Sequence, residues 1–235
     1  MGLEFWRNRR VLLTGHTGFK GAWLSLWLQR LEARVAGIAL PPNAKPSLFE
    51  ILGPWPDLES RMLDIGDRAA TVSAIESSKA EILIHLAAQS LVLEGHRDPP
   101  ATFATNVMGT AHVLDPLAGY LAFAERLATG GSDLPPALNF GPPAENSRTV
   151  ADTLKQFLVH FPDHPGYRAA AATGAHEATL LRLDSGLAQQ RVGWRPRLNF
   201  DDAVDWTAGW YRRHQQGDDM RAASLDQLAR YEALP

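Results

Sequence analysis

The sequence predicts an α/β fold: a parallel sheet with helices on both faces, followed by a smaller helix-rich part. Short apolar runs alternate with helix-forming segments through the first half of the chain. A glycine-rich turn lies between the first apolar run and the first helix. Alternation of this kind builds βαβ units, in which the strands lie parallel to one another.

The first half contains four predicted strands. Residues 11–14 form a short apolar run that ends at the glycine-rich turn, as a buried parallel strand does. The next helix, over residues 19–31, is apolar nearly all round, which predicts that it is covered on more than one side. Asp67 is predicted to cap a helix. The remaining strands are predicted at 35–40, 61–63 and 81–86, and a further helix at 99–114.

After residue 114 the pattern changes to helices with few strand signals. Trp194, Trp206 and Trp210 are predicted to be core residues. The predicted helices cover residues 117–127, 150–161, 185–192, 201–216 and 224–233, and short strands are predicted at 137–140 and 180–183.

Composition excludes several classes of function. A net charge of −3 gives no general attraction to nucleic acid or to an anionic membrane, so neither is expected as a partner. The absence of cysteine excludes disulfides, thiolate metal sites and a cysteine nucleophile, and it fits a cytoplasmic location. The sequence contains no run of 18 apolar residues, so no membrane span is predicted. His160, His164 and His176 lack metal-ligand spacing, so no metal is expected.

The glycine-rich turn carries the functional signal. Gly15, Gly18 and Gly21 follow one another at intervals of three residues. Gly15 permits a tight turn, Gly18 lets backbone amides approach a pyrophosphate, and Gly21 permits close packing of helix on strand. The helix amides and dipole then favour phosphate. A glycine-rich turn without a ligand is the alternative. We therefore interpret residues 1–114 as a truncated Rossmann-like, NAD(P)-binding part and 115–235 as the helix-rich part.

The predicted cofactor-binding residues lie where strands one, three and four end. No acid or arginine follows strand two, within residues 38–41, so the residues alone do not decide between NAD and NADP. Asp64 has two open interpretations, a hydrogen bond to the adenine amino group or a loop cap. The predicted set is Gly15, Thr17, Gly18, Phe19, Lys20, Gly21, Asp64, Ile65, Leu86, Ala87, Ala88 and Gln89.

Together with residues 106–110 (Asn-Val-Met-Gly-Thr), this set resembles the extended short-chain dehydrogenase/reductase family, also known as the NAD-dependent epimerase/dehydratase family. Further segments are similar to the CDP-glucose 4,6-dehydratases within that family. The resemblance implies NAD as cofactor, CDP-glucose as the sugar-nucleotide partner, and dehydration to a 4-keto-6-deoxy sugar. The similar segments are 5–6, 25–28, 46–50, 139–142, 176–178, 219–221 and 231–233.

The same resemblance reveals a gap. Residues 106–110 run within a few positions into His-Val-Leu-Asp-Pro-Leu at 112–117, which resembles a segment far downstream in the family. We therefore expect that about the middle third of the family chain is missing. By resemblance, the missing part carries a central strand, a helix with Tyr-x-x-x-Lys that also serves in pairing of subunits, and the acid and base of the elimination.

The residues present confirm that this motif is absent from the sequence. A tyrosine base needs a lysine on the same helix face, four residues on, to lower its pKa. The tyrosines are Tyr120, Tyr167, Tyr211 and Tyr231, and the positions four residues on hold Ala124, Ala171, Gln215 and Pro235. By resemblance, Leu93, Gly95 and His96 also stand where the family tends to have arginine, serine and tyrosine, and Leu187 stands in place of a lysine.

Three hypotheses of function follow. In the first, the chain is a cofactor-binding remnant of a CDP-glucose 4,6-dehydratase with no catalytic residues left. In the second, it is an active lyase with a relocated base at His96 or His16. In the third, it is a binding or oligomerisation partner of a full-length relative, with its own homo-oligomer weakened by loss of the interface helix.

Loss of a central strand would leave the fourth strand as a bare sheet edge, which invites aggregation. We predict that residues 137–140 pair with this edge. His85, within the fourth strand, is predicted to be a buried and hydrogen-bonded core residue.

Overall fold

The structure, a computed structural model, describes residues 2–42, 45–87, 113–130, 133–142, 148–166 and 183–235. Two compact units divide the chain: Met1–Ser90 with Arg213–Leu234, and Leu91–Arg212 with Pro235. The C-terminal helix thus belongs to the first compact unit. The division at residue 114, drawn between sequence regions, stays a prediction.

The first unit contains a parallel sheet of four strands, in the order β3-β2-β1-β4. The strands are β1 (Arg10–Thr14), β2 (Arg34–Ala39), β3 (Leu58–Met62) and β4 (Ile82–His85). β1 lies between β2 and β4, and its last four residues are buried. The predicted parallel α/β fold is confirmed. β3 lies three residues earlier than predicted at its start, because four of its five residues are exposed and no apolar run marks it.

The helices agree with most of the predicted segments. Two short helices, α1 and α3, were not predicted, and each has only four residues. The helices are α1 (Leu3–Trp6), α2 (Phe19–Arg30), α3 (Leu48–Ile51), α4 (Arg68–Ser78), α5 (Leu114–Ala128), α6 (Val150–Leu158), α7 (Gly186–Val192), α8 (Phe200–Gln215) and α9 (Met220–Glu232). Residues 99–112, where a helix is predicted to begin, lie outside the described residues.

Helix α2 is buried along eight consecutive residues, 21–28, as its apolar sequence predicts. Helix α9 covers part of it: the Trp27 and Tyr231 rings meet edge to face with centroids 5.5 Å apart. Glu232 accepts hydrogen bonds from Trp27 Nε1 at 2.8 Å and from Arg30 Nε at 3.0 Å. The sheet and α9 therefore both cover α2. The predicted cap of α4 is also confirmed, since Asp67 Oδ1 accepts from the Ala70 amide at 3.0 Å.

The second unit has its own apolar clusters. Phe157 of α6 packs with Phe200, Val204 and Ala208 of α8. Asp115, at the start of α5, is 6% exposed and ties down the segment before α8: its Oδ1 accepts from the Arg197 amide and its carbonyl from Trp194 Nε1. The predicted core tryptophans at 194, 206 and 210 are buried.

The predicted pairing of residues 137–140 with β4 is wrong. These residues are not a strand, and among the described residues β1 is the one strand paired with β4. Phe140 instead packs in the second unit against Trp194 and Tyr120, and Gly119 leaves room for its ring. A short stretch with three apolar residues in four positions can serve a loop core as well as a strand. For the predicted strand at 180–183, residue 183 is not in a strand, and residues 180–182 lie outside the described residues.

His85 differs from its prediction in burial. It lies in β4, where alternate residues are exposed, and it is among the exposed ones. Its Nδ1 is hydrogen-bonded to Thr14 Oγ1 at 2.5 Å. The predicted partner is present, but the predicted burial is wrong because the face of β4 that carries Leu83 and His85 is exposed.

No helix in the described ranges is long and apolar enough to cross a bilayer. Over the same ranges, no group of three or more His, Cys, Asp or Glu side chains is arranged to hold a metal ion.

Candidate functional site

The glycine-rich turn joins the carboxyl end of β1 to α2. Gly15 has φ +74°, a value that side chains disfavour, and its amide donates to the Ile38 carbonyl at 2.9 Å. The Gly18 amide donates to the Gly15 carbonyl at 3.1 Å, and the Ala22 amide donates to Gly18 at 2.8 Å. The backbone therefore reverses sharply and enters the helix, as the glycine spacing predicts.

Two of the glycines are required by close contacts. A Cβ atom on Gly21 would lie 2.1 Å from the Gly15 carbonyl oxygen, and one on Gly15 would lie 2.8 Å from the Ala87 nitrogen. Gly18 differs, because its nearest neighbour would be 3.3 Å away and the residue is exposed. Gly15 and Gly21 thus serve packing within the turn, whereas Gly18 keeps open the surface that a ligand would approach.

The start of α2 is suited to an anion. Its N-cap is Gly18, no side chain caps it, and its first turn contains no acidic residue. The amides of Phe19, Lys20 and Gly21 precede the first intrahelical hydrogen bond, which Ala22 donates. Phe19 is half-buried and Lys20 is exposed at this helix end. Backbone amides at a helix start and the helix dipole favour a phosphate group there.

Two threonines fix the turn to neighbouring strands. Thr17 is buried, and its hydroxyl donates to the Leu40 carbonyl, just after β2, at 2.8 Å. Thr14 Oγ1 accepts from the amides of Leu86 and Ala87 at 3.2 and 3.1 Å, just after β4. These contacts bring Leu86 and Ala87 directly against Gly15. Ala88 and Gln89, the other two predicted residues of this segment, lie outside the described residues.

Asp64 and Ile65 lie on the other side of the turn, just after β3. Asp64 Oδ1 accepts from the Gly66 amide at 2.8 Å, so the loop-cap interpretation of this residue is observed. Asp64 is also exposed, which leaves its second carboxylate oxygen at the surface for a ligand. Ile65 packs against the buried cluster of Leu12, Ile38 and Ala74. Asp64 thus faces the solvent, and Ile65 anchors the loop to the core.

The ten described residues of the predicted set thus lie along one edge of the sheet. In spatial order they follow β3, β1 and β4, and the residues after β2 are held to them through Thr17. Open α/β sheets bind their ligands at this edge, outside the carboxyl ends of the strands. The strand order explains why residues distant in sequence meet here.

Sequence reasoning considered His16 only as a relocated base, and it overlooked the role of Thr14 in the turn. The His16 side chain is fully buried, and its Nε2 lies 2.7 Å from Ser60 Oγ on β3. A Cβ atom on Gly37 would lie 2.4 Å from the His16 ring. A glycine inside a strand signals close approach of another group, and that signal at Gly37 pointed to His16. Burial lowers the pKa of His16, and the Ile38 backbone opposes part of this shift.

The three described tyrosines pack in aromatic clusters. Tyr231 is fully buried against Trp27, Tyr120 packs against Phe140, and Tyr211 packs against Phe157. Tyr167 lies outside the described residues. The packing of these side chains is consistent with structural roles.

Comparison with known proteins agrees with this arrangement. Residues 12–126 match the sequence family described as GDP-mannose 4,6 dehydratase. The chain is 26% identical to the CDP-glucose 4,6-dehydratase of Salmonella typhimurium (strain LT2) over 349 aligned positions, with 97% of each chain covered. The chain is therefore similar in sequence to sugar-nucleotide 4,6-dehydratases.

Solved structures of epimerases share the fold of this chain. An epimerase from Methanothermobacter thermautotrophicus superposes with a TM-score of 0.67 at 13% identity, over 91% of this chain and 95% of that one. A UDP-glucose-4-epimerase from Stenotrophomonas maltophila, determined with bound NAD, gives a TM-score of 0.62 at 13% identity, over 89% and 99%.

The alignment with the Salmonella enzyme also confirms the internal deletion. It spans 349 positions, whereas the present chain has 235 residues, so more than one hundred positions of the enzyme face gaps. Because 97% of both chains is covered, these gaps are internal. Their location between residues 110 and 113 stays a prediction from the sequence.

Proposed function

We propose that this chain binds NAD at the turn between β1 and α2 and is a catalytically impaired relative of CDP-glucose 4,6-dehydratase. The observation that carries the proposal is the helix start at Gly18, which combines uncapped amides, no acidic side chain and an exposed glycine. The backbone around it is fixed by contacts to β2 and β4. This is the arrangement that a pyrophosphate needs.

Loss of catalysis is inferred from what the sequence lacks. No tyrosine has a lysine four residues on, and the deletion removes the part of the chain that holds the acid and base by resemblance. Each general acid or base contributes about 10²–10⁴-fold to rate, or roughly 3–5 kcal/mol of barrier. Without three such groups, we expect no measurable dehydration of CDP-glucose.

Between the two coenzymes, we propose NAD. The backbone after β2 carries Leu40, which is 58% exposed, where many sites of this fold carry an acid for the ribose of NAD. The solved relatives with a named cofactor contain NAD, which favours it. The sugar-nucleotide partner, CDP-glucose by relation to the Salmonella enzyme, and a cytoplasmic location remain proposals.

The test replaces Gly18 and compares binding with folding. In the Gly18→Ala variant the added methyl group would lie 3.3 Å from the Gly15 carbonyl oxygen, a tight contact that a small shift relieves, and on the surface that the pyrophosphate would approach. We expect NAD affinity, measured by isothermal titration, to fall at least about tenfold, with little change in melting temperature. Gly209→Ala is the matched control, because a Cβ atom there meets nothing within 4 Å.

Three results would contradict the proposal. The wild-type protein could fail to bind NAD, or the Gly18→Ala variant could bind it as well as wild type does. Turnover of CDP-glucose by the purified protein, followed as absorbance of the 4-keto sugar, would contradict the claim of impaired catalysis. NADP titrated in parallel decides between the coenzymes.

The relocated-base hypothesis is weakened for one of its two residues. His16 is fully buried and hydrogen-bonded to Ser60, so its ring is not presented to a sugar at the surface. His96 lies outside the described residues. Loss of a measured activity in a His96→Ala variant would revive the hypothesis.

The partner hypothesis is favoured by one observation: no described strand pairs with the outer edge of β4. Leu83 on that strand is 46% exposed, and among the described strands only β1 pairs with β4. An open edge can pair with a strand of another chain. Co-purification with a full-length relative would support this second candidate, and a monomer that shows no such association would count against it.

A further inference from the structure

We propose that His16 is a positioning residue of the dinucleotide site, whose buried ring ties the glycine-rich turn to β3 and fixes where the turn amides lie. This inference rests on the proposed function. It concerns a side chain that does not touch the ligand surface, because the exposed part of the turn is Gly18 and its neighbours.

The first support is how the ring is held. His16 lies between Gly15, which turns the chain, and Thr17, which binds the end of β2. Its ring passes over β2 at Gly37, where any side chain would collide with it, and reaches Ser60 on β3. A single side chain of the turn thus spans one strand and binds the next.

The second support is the aromatic packing behind the ring. Phe49 meets the His16 ring edge to face, with centroids 5.3 Å apart, and is itself stacked on Trp55 at 5.0 Å. Trp55 Nε1 donates to the Phe49 carbonyl at 2.8 Å. Arg221 of α9 lies over the Trp55 ring at 5.0 Å and donates to the Leu52 carbonyl at 3.1 Å. The aromatic rings packed beside His16 are therefore held in place themselves, Phe49 by Trp55 and Trp55 by Arg221.

This packing matters for binding because a glycine-rich turn has unusual backbone freedom. Each glycine loses more conformational entropy on ordering than any other residue. A turn that is already held in its bound geometry loses less conformational entropy when the ligand binds, and the affinity for the ligand is therefore higher. In this turn His16 is the side chain that reaches β3, whereas Thr17 reaches only the segment after β2.

The experiment removes the His16–Ser60 hydrogen bond from each side. His16→Phe keeps a ring of similar shape without the bond, and Ser60→Ala removes the partner. His16→Gln offers an amide that can still reach Ser60. Ser77→Ala is the matched control, because Ser77 also joins β3 to a neighbouring element, through Arg61, but lies away from the turn. NAD affinity is measured by isothermal titration for each variant and for wild type.

We expect His16→Phe and Ser60→Ala each to weaken NAD binding about three- to tenfold, the range that one hydrogen bond represents. The double variant should be no weaker than either single variant, since both remove the same bond. His16→Gln and Ser77→Ala should bind within about twofold of wild type. In the absence of NAD, amides 18–21 should exchange faster in His16→Phe and Ser60→Ala but not in Ser77→Ala.

Equal affinity of wild type, His16→Phe and Ser60→Ala would overturn this inference and leave the proposed function standing. Additive losses in the double variant would also overturn it, because they would show two unrelated effects. Absence of NAD binding by the wild type would overturn both proposals together. Because Ser60 is exposed, the Ser60→Ala variant should fold. It therefore tests the role of the His16–Ser60 hydrogen bond even if His16→Phe does not fold.

Discussion

At the scale of single residues, the glycines of the turn do different work. Gly21 is the one that backbone atoms crowd most closely, with the Gly15 carbonyl oxygen 2.1 Å from the position of a Cβ atom. Backbone atoms cannot give way as the end of a flexible side chain can. The turn or the helix must therefore move to accept any larger residue at position 21.

We predict that Gly21→Ala lowers the free energy of unfolding by about 1–3 kcal/mol, as overpacking generally does. Gly209→Ala, also within a helix but in open space, should raise it by about 0.5–1 kcal/mol through the lost flexibility of the unfolded chain. Urea unfolding of both variants measures the difference. If the two variants are equally stable, the close contact at Gly21 is not as described.

His16 gives a second prediction at this scale, concerning pH. Burial lowers its pKa, so the folded protein keeps the ring neutral where the unfolded chain, with an ordinary pKa near 6.5, binds a proton. The unfolded state then holds more protons, and the free energy of unfolding falls as the pH falls below about 6.5, until the lowered pKa is reached. The slope is at most about 1.4 kcal/mol per pH unit for one group.

This dependence is measured by urea unfolding at several pH values between 7.5 and 5 for wild type and for His16→Phe. All other side chains are the same in both proteins, so the difference between the two curves isolates His16. We expect the wild type to lose more stability than the variant over that interval. Parallel curves would show that His16 does not titrate with the predicted sign.

At the scale of elements, the Glu232 carboxylate is one of the groups that join α9 to α2. Glu232 accepts from the indole of Trp27, which is fully buried, and pairs with Arg30 at 2.9 Å. Glu232→Ala should cost about 1–3 kcal/mol, mainly because a buried donor loses its acceptor. Arg30→Ala leaves that hydrogen bond in place and should cost under about 1 kcal/mol, as partly exposed ion pairs do.

Urea unfolding followed by tryptophan fluorescence measures the free energy of unfolding of both variants. Equal losses in the two variants would assign the stabilisation to the ion pair and contradict the prediction. Arg221 and Tyr231 remain in place in both proteins, so each variant removes only contacts of Glu232 or Arg30.

The success of prediction from sequence also varies by element, for physical reasons. β1, β2 and α2 are buried, so their apolar side chains reveal them within one or two residues. β3 is an exposed edge, and its sequence carries no such pattern. Residues 137–140 were misread because a short apolar run indicates burial but not the neighbour that provides it. Phe140 finds that neighbour in Trp194, more than fifty positions away.

The site shows the same limit. Glycine spacing predicted the turn, because a close approach of backbone atoms admits only glycine. The contacts of Thr14 and His16 join residues more than forty positions apart, and they depend on the strand order β3-β2-β1-β4. Nothing local to either residue encodes that order. Gly37 was the one residue in the local sequence that indicated a close approach of another group to β2, and that group is the His16 ring.

At the scale of the whole molecule, the candidate cofactor site belongs to a single compact unit. All ten described site residues lie in Met1–Ser90, whereas the clusters around Phe157 and Trp194 belong to the second unit. Each unit therefore has apolar clusters of its own. A ligand that binds the folded form of one unit stabilises that unit by mass action.

We predict that NAD at about a hundred times its dissociation constant stabilises the first unit by about 2.7 kcal/mol. Amides of β1, β2 and α2 that exchange through opening of this unit should then exchange up to roughly a hundredfold more slowly. Amides of α6 and α8 around Phe157 should keep their rates. Hydrogen exchange followed by mass spectrometry resolves these segments, and addition of an equal concentration of adenosine, which lacks the pyrophosphate, is the control. Equal protection of both units by NAD would contradict a cofactor site confined to the first unit. If adenosine protected the first unit as strongly as NAD does, the pyrophosphate, and with it the glycine-rich turn, would contribute nothing to binding.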